Sequence, residues 1–205
     1  VVEDCIRKIS GAGEHLLGLV NNVLDISRIE SNKIEIVHEV MNVAMLCEEC
    51  CSIVDGQLLT RKLDFDFRCG QLAHPNVIGD NLHMRQILIN IIGNSIKFTP
   101  DGGRITFEVD EIACDEKNVT YKFVVADTGI GMSQEFIKHM FEPFTQEQHA
   151  VKAASTKGSG LGLSISLQLV QLMGGKIDVD SVEDQGTTMT VTIPFEISDV
   201  PFVEA

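Results

Sequence analysis

Strand-like and helix-like segments are grouped along this chain, and the grouping limits the folds open to it. In the second half, "GGRITFEVDEI" and "VTYKFVVAD" alternate apolar and polar residues and predict a hairpin, and "GKIDVDS" and "GTTMTVTIPF" predict two closing strands. Shorter strands are predicted at 34–37, "LDFDF" and "NVIGD". Helices are predicted over 42–59, "DNLHMRQILINIIGNSIKF" with Asp80 as N-cap, "SQEFIKHM" and 160–173. This segregation favours an α+β fold, with helices covering one face of an antiparallel or mixed sheet.

A heptad pattern over the first thirty residues predicts a long amphipathic helix before this domain. At 1.5 Å per residue the helix would extend about 45 Å, which is longer than a compact domain needs, so we expect its apolar face to pack on another helix. The alternative is a helix that lies on the core of its own domain. The heptad positions are Val2, Cys5, Ile9, Ala12, Leu16, Leu19, Val23 and Ile26.

Composition and charge narrow the class of protein. The 205 residues are 44% hydrophobic, enough for an ordinary core in one domain with an appendage. The formal net charge of −14 would repel a phosphate backbone, so no nucleic-acid partner is expected. No apolar run approaches the ~20 residues of a bilayer span, and the first residues lack the pattern of a signal peptide. No membrane contact by this segment is expected.

Cysteine usage indicates a reducing compartment. Six cysteines are scattered through a chain large enough to need no disulfides, so a cytoplasmic location is expected, with membrane anchoring of the full-length protein left open. The cluster "CEECC", residues 47–51, contains a Cys-x-x-Cys spacing. Because no second Cys or His pair follows at zinc-finger distance, buried thiols are favoured there over a metal site.

Three polar residues share one face of the helix that contains "NIIGNSIKF". Asn90 and Asn94 are four residues apart and Lys97 follows three residues later, while the neighbouring isoleucines point elsewhere. Amides and an ammonium on a largely buried helix need partners, and a metal-bound triphosphate supplies them, since Mg²⁺ prefers oxygen ligands. The alternative interpretation is a solvated polar face.

Two further motifs follow the strand "KFVVA". In "DTGIGM", Asp127 can accept a hydrogen bond from an exocyclic amine, and Gly129 and Gly131 let the chain pass close to a flat ring. Ordinary turn chemistry explains the same residues equally well. In "FEPFTQ", Phe141 and Phe144 bracket a proline and are expected to anchor a loop to the core.

The stretch "KGSGLGLSIS" places glycines at every second position immediately before a predicted helix. Gly158, Gly160 and Gly162 would expose successive N–H groups at the positive end of the helix dipole, where phosphate binds readily. The pattern is neither a Walker motif nor a dinucleotide fingerprint, so it is a weak signal alone.

In this order and spacing, the four motifs resemble the ATP-binding domain of sensor histidine kinases, whose fold is shared by DNA gyrase, heat-shock chaperone ATPases and mismatch-repair ATPases. The match runs over residues 41–195, and "HLLGLVNNVLDISRIESNKIEI" is similar to the second helix of the kinase dimerisation hairpin. The resemblance implies a two-layer α/β sandwich in which three helices cover one face of a mixed five-stranded sheet. It places ATP between the helices and a mobile lid, residues 146–157.

The resemblance also implies roles for individual residues. Asn94 would be the Mg²⁺ ligand, Asn90 a second polar contact and Lys97 a phosphate contact, and these three form the expected catalytic set. Asp127 would accept from the adenine amine, with Gly129 and Gly131 beside it. The remaining expected ATP contacts are Lys157, Gly158, Gly160, Leu161, Gly162 and Thr187.

The implied domain organisation is a partial dimerisation hairpin at 1–33, the ATP-binding domain at 34–198 and a tail at 199–205. The implied partners are a second copy of the chain, bound through the complete hairpin, and the receiver domain of a response regulator. None of the six histidines has the His-Glu-x-Arg-Thr-Pro context of a phosphoacceptor, so the acceptor helix is expected upstream of Val1. His83 stands where relatives often have Arg, which leaves an ion pair to Asp80 in question.

The expected function is therefore that of the catalytic part of a protein-histidine kinase. A rival is an ATPase of the gyrase or chaperone type, which hydrolyses ATP. Those relatives carry a glutamate base where this chain has Asn90, and an amide cannot accept a proton near neutral pH. A third possibility is a module that binds nucleotide without transferring phosphate.

Overall fold

The computed structural model describes residues 34–147 and 159–202, together with positions 13, 16–18, 20, 24, 27, 28 and 31 of the preceding segment. Within these residues no helix is both long enough and apolar enough to cross a membrane.

One mixed sheet forms the first layer of the domain. Its strands are β1 (Glu39–Asn42), β2 (Asp64–Cys69), β3 (Asn76–Gly79), β4 (Arg104–Cys114), β5 (Asn118–Asp127), β6 (Lys176–Val182) and β7 (Gly186–Ile197). The order across the sheet is β1-β3-β7-β5-β4-β2, and β6 pairs with the edge of β7 that β3 leaves open. Strands β2 and β4 run parallel, and the other described pairs are antiparallel. The predicted hairpin of "GGRITFEVDEI" and "VTYKFVVAD" is confirmed as β4 and β5.

The helices form the second layer. They are α1 (Val43–Arg61), α2 (Asn81–Phe98), the single turn α3 (Gln134–Ile137) and α4 (Gly162–Leu172). Asn42, Asp80 and Ser133 cap the first three helices, each accepting a hydrogen bond from a backbone N–H three residues later. These caps satisfy N–H groups that a helix start leaves without intrahelical partners. Helix α4 differs, because Leu161 at its N-cap position makes no side-chain cap.

A single apolar core lies between the two layers. Alternate residues of β4, β5 and β7 are buried, including Phe107, Phe123 and Val191, and they face Leu88 and Ile91 of α2. The intervening strand residues are only partly covered. A sheet covered on one face by helices follows directly from this alternation, so the predicted two-layer α+β architecture is confirmed.

Three details of the prediction are wrong. The sheet has seven strands among the described residues, where the resemblance implied five. The first strand is at Glu39–Asn42, because this segment pairs with β3, and residues 34–37 have no regular structure. The helix predicted over "SQEFIKHM" is only one turn, Gln134–Ile137.

The cysteines of "CEECC" are thiols on the core side of α1, as expected. Cys47 and Cys50 are buried and Cys51 is half-buried. Burial raises the pKa of Cys50 to about 12 and that of Cys51 to about 11, so both stay protonated near neutral pH. Their burial against the core agrees with a structural role.

Most of the predicted N-terminal helix lies outside the described residues. The described positions 13, 16–18, 20, 24, 27 and 28 are helical, and the apolar side chains among them are exposed. The long amphipathic helix and the boundaries at residues 33 and 198 stay predictions.

The core gives a stability prediction with an internal control. Leu88 is 0% exposed and Leu82, on the same helix, is 67% exposed. We expect Leu88→Ala to lower the free energy of unfolding by about 2–5 kcal/mol, since it leaves a cavity. Leu82→Ala should change it by less than about 0.5 kcal/mol. Urea denaturation of both variants measures the difference, and equal losses would contradict the assigned core.

Candidate functional site

The carboxylate of Asp127 lies at the end of β5, where the sheet meets helix α2. Its Oδ2 accepts a hydrogen bond from the Ser95 hydroxyl at 2.9 Å, and its Oδ1 accepts one from the Gly129 N–H at 2.9 Å. Burial raises the pKa of Asp127, and the hydrogen bonds from Gly129, Ser95 and the Thr187 backbone offset only part of that rise. Each carboxylate oxygen has a second lone pair, so the group can still accept a hydrogen bond from a ligand.

Asn90 connects helix α2 to the start of helix α4. Its Nδ2 donates to the Ser166 hydroxyl at 2.8 Å. Its Oδ1 lies against the Cα of Gly162, and a Cβ at Gly162 would collide with this amide. The glycine therefore permits the close approach of the two helices, and the position of the Asn90 amide is fixed by both of them.

Asn94 and Lys97 continue the same face of α2 towards its C-terminal end. The half-buried side chain of Asn94 makes no hydrogen bond to another described residue. The Lys97 ammonium lies 4.8 Å from the centre of the Phe98 ring, and burial lowers the pKa of Lys97. An amide with free capacity and a partly desolvated cation thus lie on the helix that also carries Ser95, the hydrogen-bond donor to Asp127.

Close packing within the protein requires glycine at two positions after β5 and at one position before α4. At Gly129 a Cβ would lie 2.7 Å from the carbonyl oxygen of Phe98, and at Gly131, where φ is +63°, it would collide with the Val182 carbonyl. Gly160 has φ +73°, and a Cβ there would lie 2.8 Å from the carbonyl carbon of Phe144. The fold therefore requires glycine at these three positions independently of any ligand.

The start of α4 carries backbone N–H groups without a side-chain cap. These groups point towards the N-terminal end of the helix, beside Asn90 and Gly162, and together with the helix dipole they suit an anion. The Leu161 side chain is buried in the core and its N–H donates to the Ser159 hydroxyl at 3.2 Å. Neither the side chain nor the N–H of Leu161 is therefore available to a ligand, which could contact only the other backbone atoms of this residue. Lys157 and Gly158 lie outside the described residues, as does most of the predicted lid.

Thr187 pairs with Asp127 in the β5–β7 ladder, so it lies beside Asp127 at the end of β5. Its contact with the adenine base stays a prediction. Its hydroxyl is 2.8 Å from that of Ser181, which also accepts the Met132 N–H at 2.9 Å. The threonine thus belongs to a hydroxyl network that ties β6 and β7 to the loop after β5.

The structure corrects the expectation for Phe144 and bears on the open question about His83. Phe141 packs on the core as expected, but the side chain of Phe144 is exposed, and it is its backbone N–H that anchors the loop, donating to the Gly160 carbonyl at 2.9 Å. His83 does contact Asp80, since its Nδ1 lies 2.6 Å from the Asp80 Oδ2. His83 therefore makes a side-chain hydrogen bond to Asp80 at the position where relatives often have arginine.

Three serines that were not predicted from the sequence support the site. Ser95 holds the Asp127 carboxylate, Ser166 holds the Asn90 amide and Ser181 holds Thr187. All three are buried. A single serine in an apolar run is common, so the sequence carries no signal that would have singled them out.

The fold and this group of residues define a two-layer α+β nucleotide-binding domain. The family described as "Histidine kinase-, DNA gyrase B-, and HSP90-like ATPase" matches residues 79–197. This is more than half of the 205 residues, and the chain belongs to that family.

Curated proteins are similar to this chain over most of its length. The chain is 33% identical over 193 residues to the non-motile and phage-resistance protein of Caulobacter vibrioides, covering 94% of this chain and 22% of that protein. It is 35% identical to hybrid signal transduction histidine kinase B of Dictyostelium discoideum, covering 93% of this chain and 9% of that protein. The chain thus spans less than a quarter of the length of either relative.

Solved structures share the fold. Full-length ShkA in complex with AMPPNP superimposes with a TM-score of 0.79 at 28% identity, covering 98% of this chain and 40% of that one. The mycobacterial sensor histidine kinase MprB superimposes with a TM-score of 0.62 at 26% identity, covering 79% of this chain and all (100%) of that one. The resemblance to histidine kinase ATP-binding domains is confirmed.

The half-buried carboxylate of Asp127 and the buried carboxylate of Asp80 give a paired pH prediction. The folded-state pKa of Asp127 is raised, so its contribution to stability is greatest below the unfolded pKa, about 3.9, and is lost as pH rises through the folded value. Burial of Asp80 would also raise its pKa, but hydrogen bonds from His83 and the Val37 N–H outweigh burial and lower it. The stability that Asp80 contributes is therefore present above its unfolded pKa and is lost as pH falls through its folded pKa.

We therefore expect opposite effects from matched substitutions. Asp127→Asn should leave the protein as stable as the parent, or more stable, at neutral pH, with the gain shrinking towards pH 4. Asp80→Asn should destabilise it at neutral pH, with the loss shrinking on acidification. Thermal unfolding at several pH values compares the two, and effects of the same sign at pH 7 would contradict the electrostatic assignment.

Proposed function

We propose that this chain is the catalytic ATP-binding part of a sensor histidine kinase. It binds ATP together with Mg²⁺ and transfers the γ-phosphoryl group to an imidazole nitrogen of a histidine on a separate helix, releasing ADP. The observation that carries the proposal is the convergence at one end of the sheet of a half-buried carboxylate, two amides of α2 and an uncapped helix start. The family assignment and the AMPPNP complex of ShkA support it.

Each part of the site suits one part of the nucleotide. The Asp127 carboxylate matches the exocyclic amine of adenine, because it can only accept hydrogen bonds when ionised. The N–H groups at the start of α4 and the Lys97 ammonium match the phosphates. Gly160 and Gly162 keep side chains away from the path of the phosphates, and Lys157 and Gly158 are proposed to complete this binding loop.

The residues of α2 fit a hydrated Mg²⁺ ion. The Asn94 amide has no other described partner, and an amide oxygen is a ligand that Mg²⁺ accepts alongside water and phosphate oxygens. When bound, Mg²⁺ neutralises charge on the phosphates during transfer. Asn90 is held in place by Ser166 and Gly162, and we propose that it positions the water or phosphate oxygens around the metal.

The side chain at position 90 also favours transfer over hydrolysis. An ATPase that hydrolyses ATP needs a base to activate water, and Asn90 cannot accept a proton. Its amide nitrogen is already engaged with Ser166. Phosphoryl transfer to a histidine needs no such base from the ATP-binding domain, because a neutral imidazole nitrogen is itself the nucleophile.

The partners follow from the same proposal. We propose that the complete protein forms a homodimer through its helical hairpin and passes the phosphoryl group to an aspartate in the receiver domain of a response regulator. The crystal structure of the histidine kinase ThkA in complex with the response regulator protein TrrA, which shares this fold, supports this partner class. A location in the cytoplasm is proposed with it.

The transfer reaction tests the proposal directly. Incubation with Mg²⁺ and γ-labelled ATP should leave this chain unlabelled, whereas a form extended upstream by an acceptor helix should gain base-stable, acid-labile label. Asn94→Ala should reduce labelling of the extended form by at least about tenfold, as expected for the loss of a metal ligand. Asn118→Ala should leave labelling of the extended form unchanged, because this exposed asparagine lies at the end of β5 opposite Asp127.

Three outcomes would contradict it. Sustained release of phosphate without a labelled protein would indicate a hydrolysing ATPase of the gyrase type. Labelling that is the same with and without Mg²⁺, and the same in Asn94→Ala, would refute the metal site. Stoichiometric label on the unextended chain that disappears in His15→Ala would place the acceptor on this segment instead.

A further inference from the structure

A second cluster of chemically reactive side chains lies at the opposite end of the sheet. His74, Glu111 and Cys114 place their ligand atoms within 4.8 Å of one another. The Nδ1 of His74 is 2.8 Å from the Oε1 of Glu111. Among the described residues, no other group of three or more His, Cys, Asp and Glu side chains comes as close together.

A bulge in β4 brings the cysteine into the cluster. Glu111 pairs with Tyr121 of β5, but the register then shifts so that Cys114 pairs with Val119. Tyr121 and Val119 both face the helix layer, so Cys114 faces the same side as Glu111. In a regular strand, residues three apart face opposite sides of the sheet. The extra residue of the bulge turns Cys114 to the side that Glu111 faces. Bulges occur often where a side chain has to be re-aimed.

The surrounding structure fixes the other two side chains. The Oε2 of Glu111 accepts the backbone N–H groups of Ala73 and His74, at 2.9 and 3.0 Å. The Tyr121 hydroxyl donates to the carbonyl oxygen of His74 at 2.8 Å. Glu111 therefore uses Oε2 for the backbone and Oε1 for the His74 ring, and the backbone of His74 is held from two directions. Supporting hydrogen bonds of this kind orient the ligands of metal sites.

The donor set selects a class of ion. An imidazole nitrogen, a carboxylate oxygen and a thiolate sulfur suit Zn²⁺ and similar borderline transition metals, whereas Mg²⁺ and Ca²⁺ prefer oxygen alone. Around a tetrahedral Zn²⁺ the ligand atoms would be about 3.3–3.6 Å apart, given bond lengths of about 2.0–2.3 Å. The ligand atoms now lie within 4.8 Å of one another, so small side-chain movements would bring them to that geometry. The metal would displace the proton now shared between His74 and Glu111.

We propose that His74, Glu111 and Cys114 form a Zn²⁺-binding site with three protein ligands and a fourth position open to water. Cys114 binds as the thiolate, so metal binding releases its proton. The site joins the connection between β2 and β3, which carries His74, to the bulged end of β4. It does not depend on the proposed kinase activity.

The metal site and the nucleotide site are separate. Asp127 pairs with Ile105 near the start of β4, and Glu111 lies six residues further along this strand. At about 3.3–3.4 Å per residue the two positions are roughly 20 Å apart. Zn²⁺ bound here cannot be the ion that accompanies ATP, and the proposal adds a site that the nucleotide chemistry does not use.

Titration with Zn²⁺ and Co²⁺ tests the proposal on the intact chain. Competition with a chromophoric chelator should give one Zn²⁺ per chain, and Co²⁺ should produce a thiolate charge-transfer absorption. His74→Ala, Glu111→Gln and Cys114→Ser should each weaken Zn²⁺ binding by more than about 100-fold, and Tyr121→Phe by about tenfold, as a supporting residue does. Far-ultraviolet circular dichroism checks that each variant is folded.

Two exposed residues outside the cluster serve as matched controls. His139 forms a pair with Glu142 at the same 2.8 Å separation but is not part of any described three-ligand group, and Cys69 is an exposed cysteine on the neighbouring strand. His139→Ala and Cys69→Ser should leave Zn²⁺ affinity unchanged. The proposal is overturned if the parent binds no Zn²⁺ at micromolar concentration, or if binding survives in Cys114→Ser with the charge-transfer absorption intact.

Discussion

The hydrogen bond between the Ser95 hydroxyl and the Asp127 carboxylate joins the two layers of the domain at its functional end. Ser95 belongs to helix α2 and Asp127 to the last position of β5, so this contact sets the helix relative to the strand. Because Asn90 and Asn94 lie on the same helix, their positions depend on it too. Burial of the carboxylate costs stability at neutral pH, which is typical of a group kept for function rather than for folding.

The motifs of this site could be predicted from the sequence because each uses local periodicity. Asn90, Asn94 and Lys97 share a helix face through their spacing alone, and Asp127 follows a regular strand. The resemblance carried by these motifs then supplied the fold. The sequence could not predict Ser95 or Ser166, because their roles depend on contacts 32 and 76 residues away along the chain.

The errors in the strands have a similar physical origin. Residues 34–37 and Glu39–Asn42 both look extended, and pairing with β3 decides which of them becomes a strand. The Val37 N–H is instead taken by Asp80, 43 residues away, at 2.9 Å. A regular alternation of apolar and polar residues does not predict the bulge in β4. The group formed by His74, Glu111 and Cys114 therefore could not be predicted from the sequence. Long-range pairing overrides local pattern in each case.

The two ends of the sheet thus carry different chemistry on one scaffold. At one end, amides, a carboxylate and an uncapped helix start suit a nucleotide with a hard metal ion. At the other end, the bulge in β4 brings the sulfur of Cys114 close to the nitrogen of His74 and the oxygen of Glu111, a mixed donor set that suits Zn²⁺. The strands β4 and β5 connect both ends, and their packed side chains form the centre of the core.

The relative affinity for ATP and GTP tests the assignment of Asp127 most directly. Guanine presents an acceptor oxygen where adenine presents an amine, so GTP would forfeit a charged hydrogen bond worth about 1.5–3 kcal/mol. Calorimetry in the presence of Mg²⁺ should therefore find ATP bound about 10- to 150-fold more tightly than GTP by the parent chain, with this preference lost in Asp127→Asn. Equal affinities in the parent, or an unchanged preference in the variant, would contradict the account.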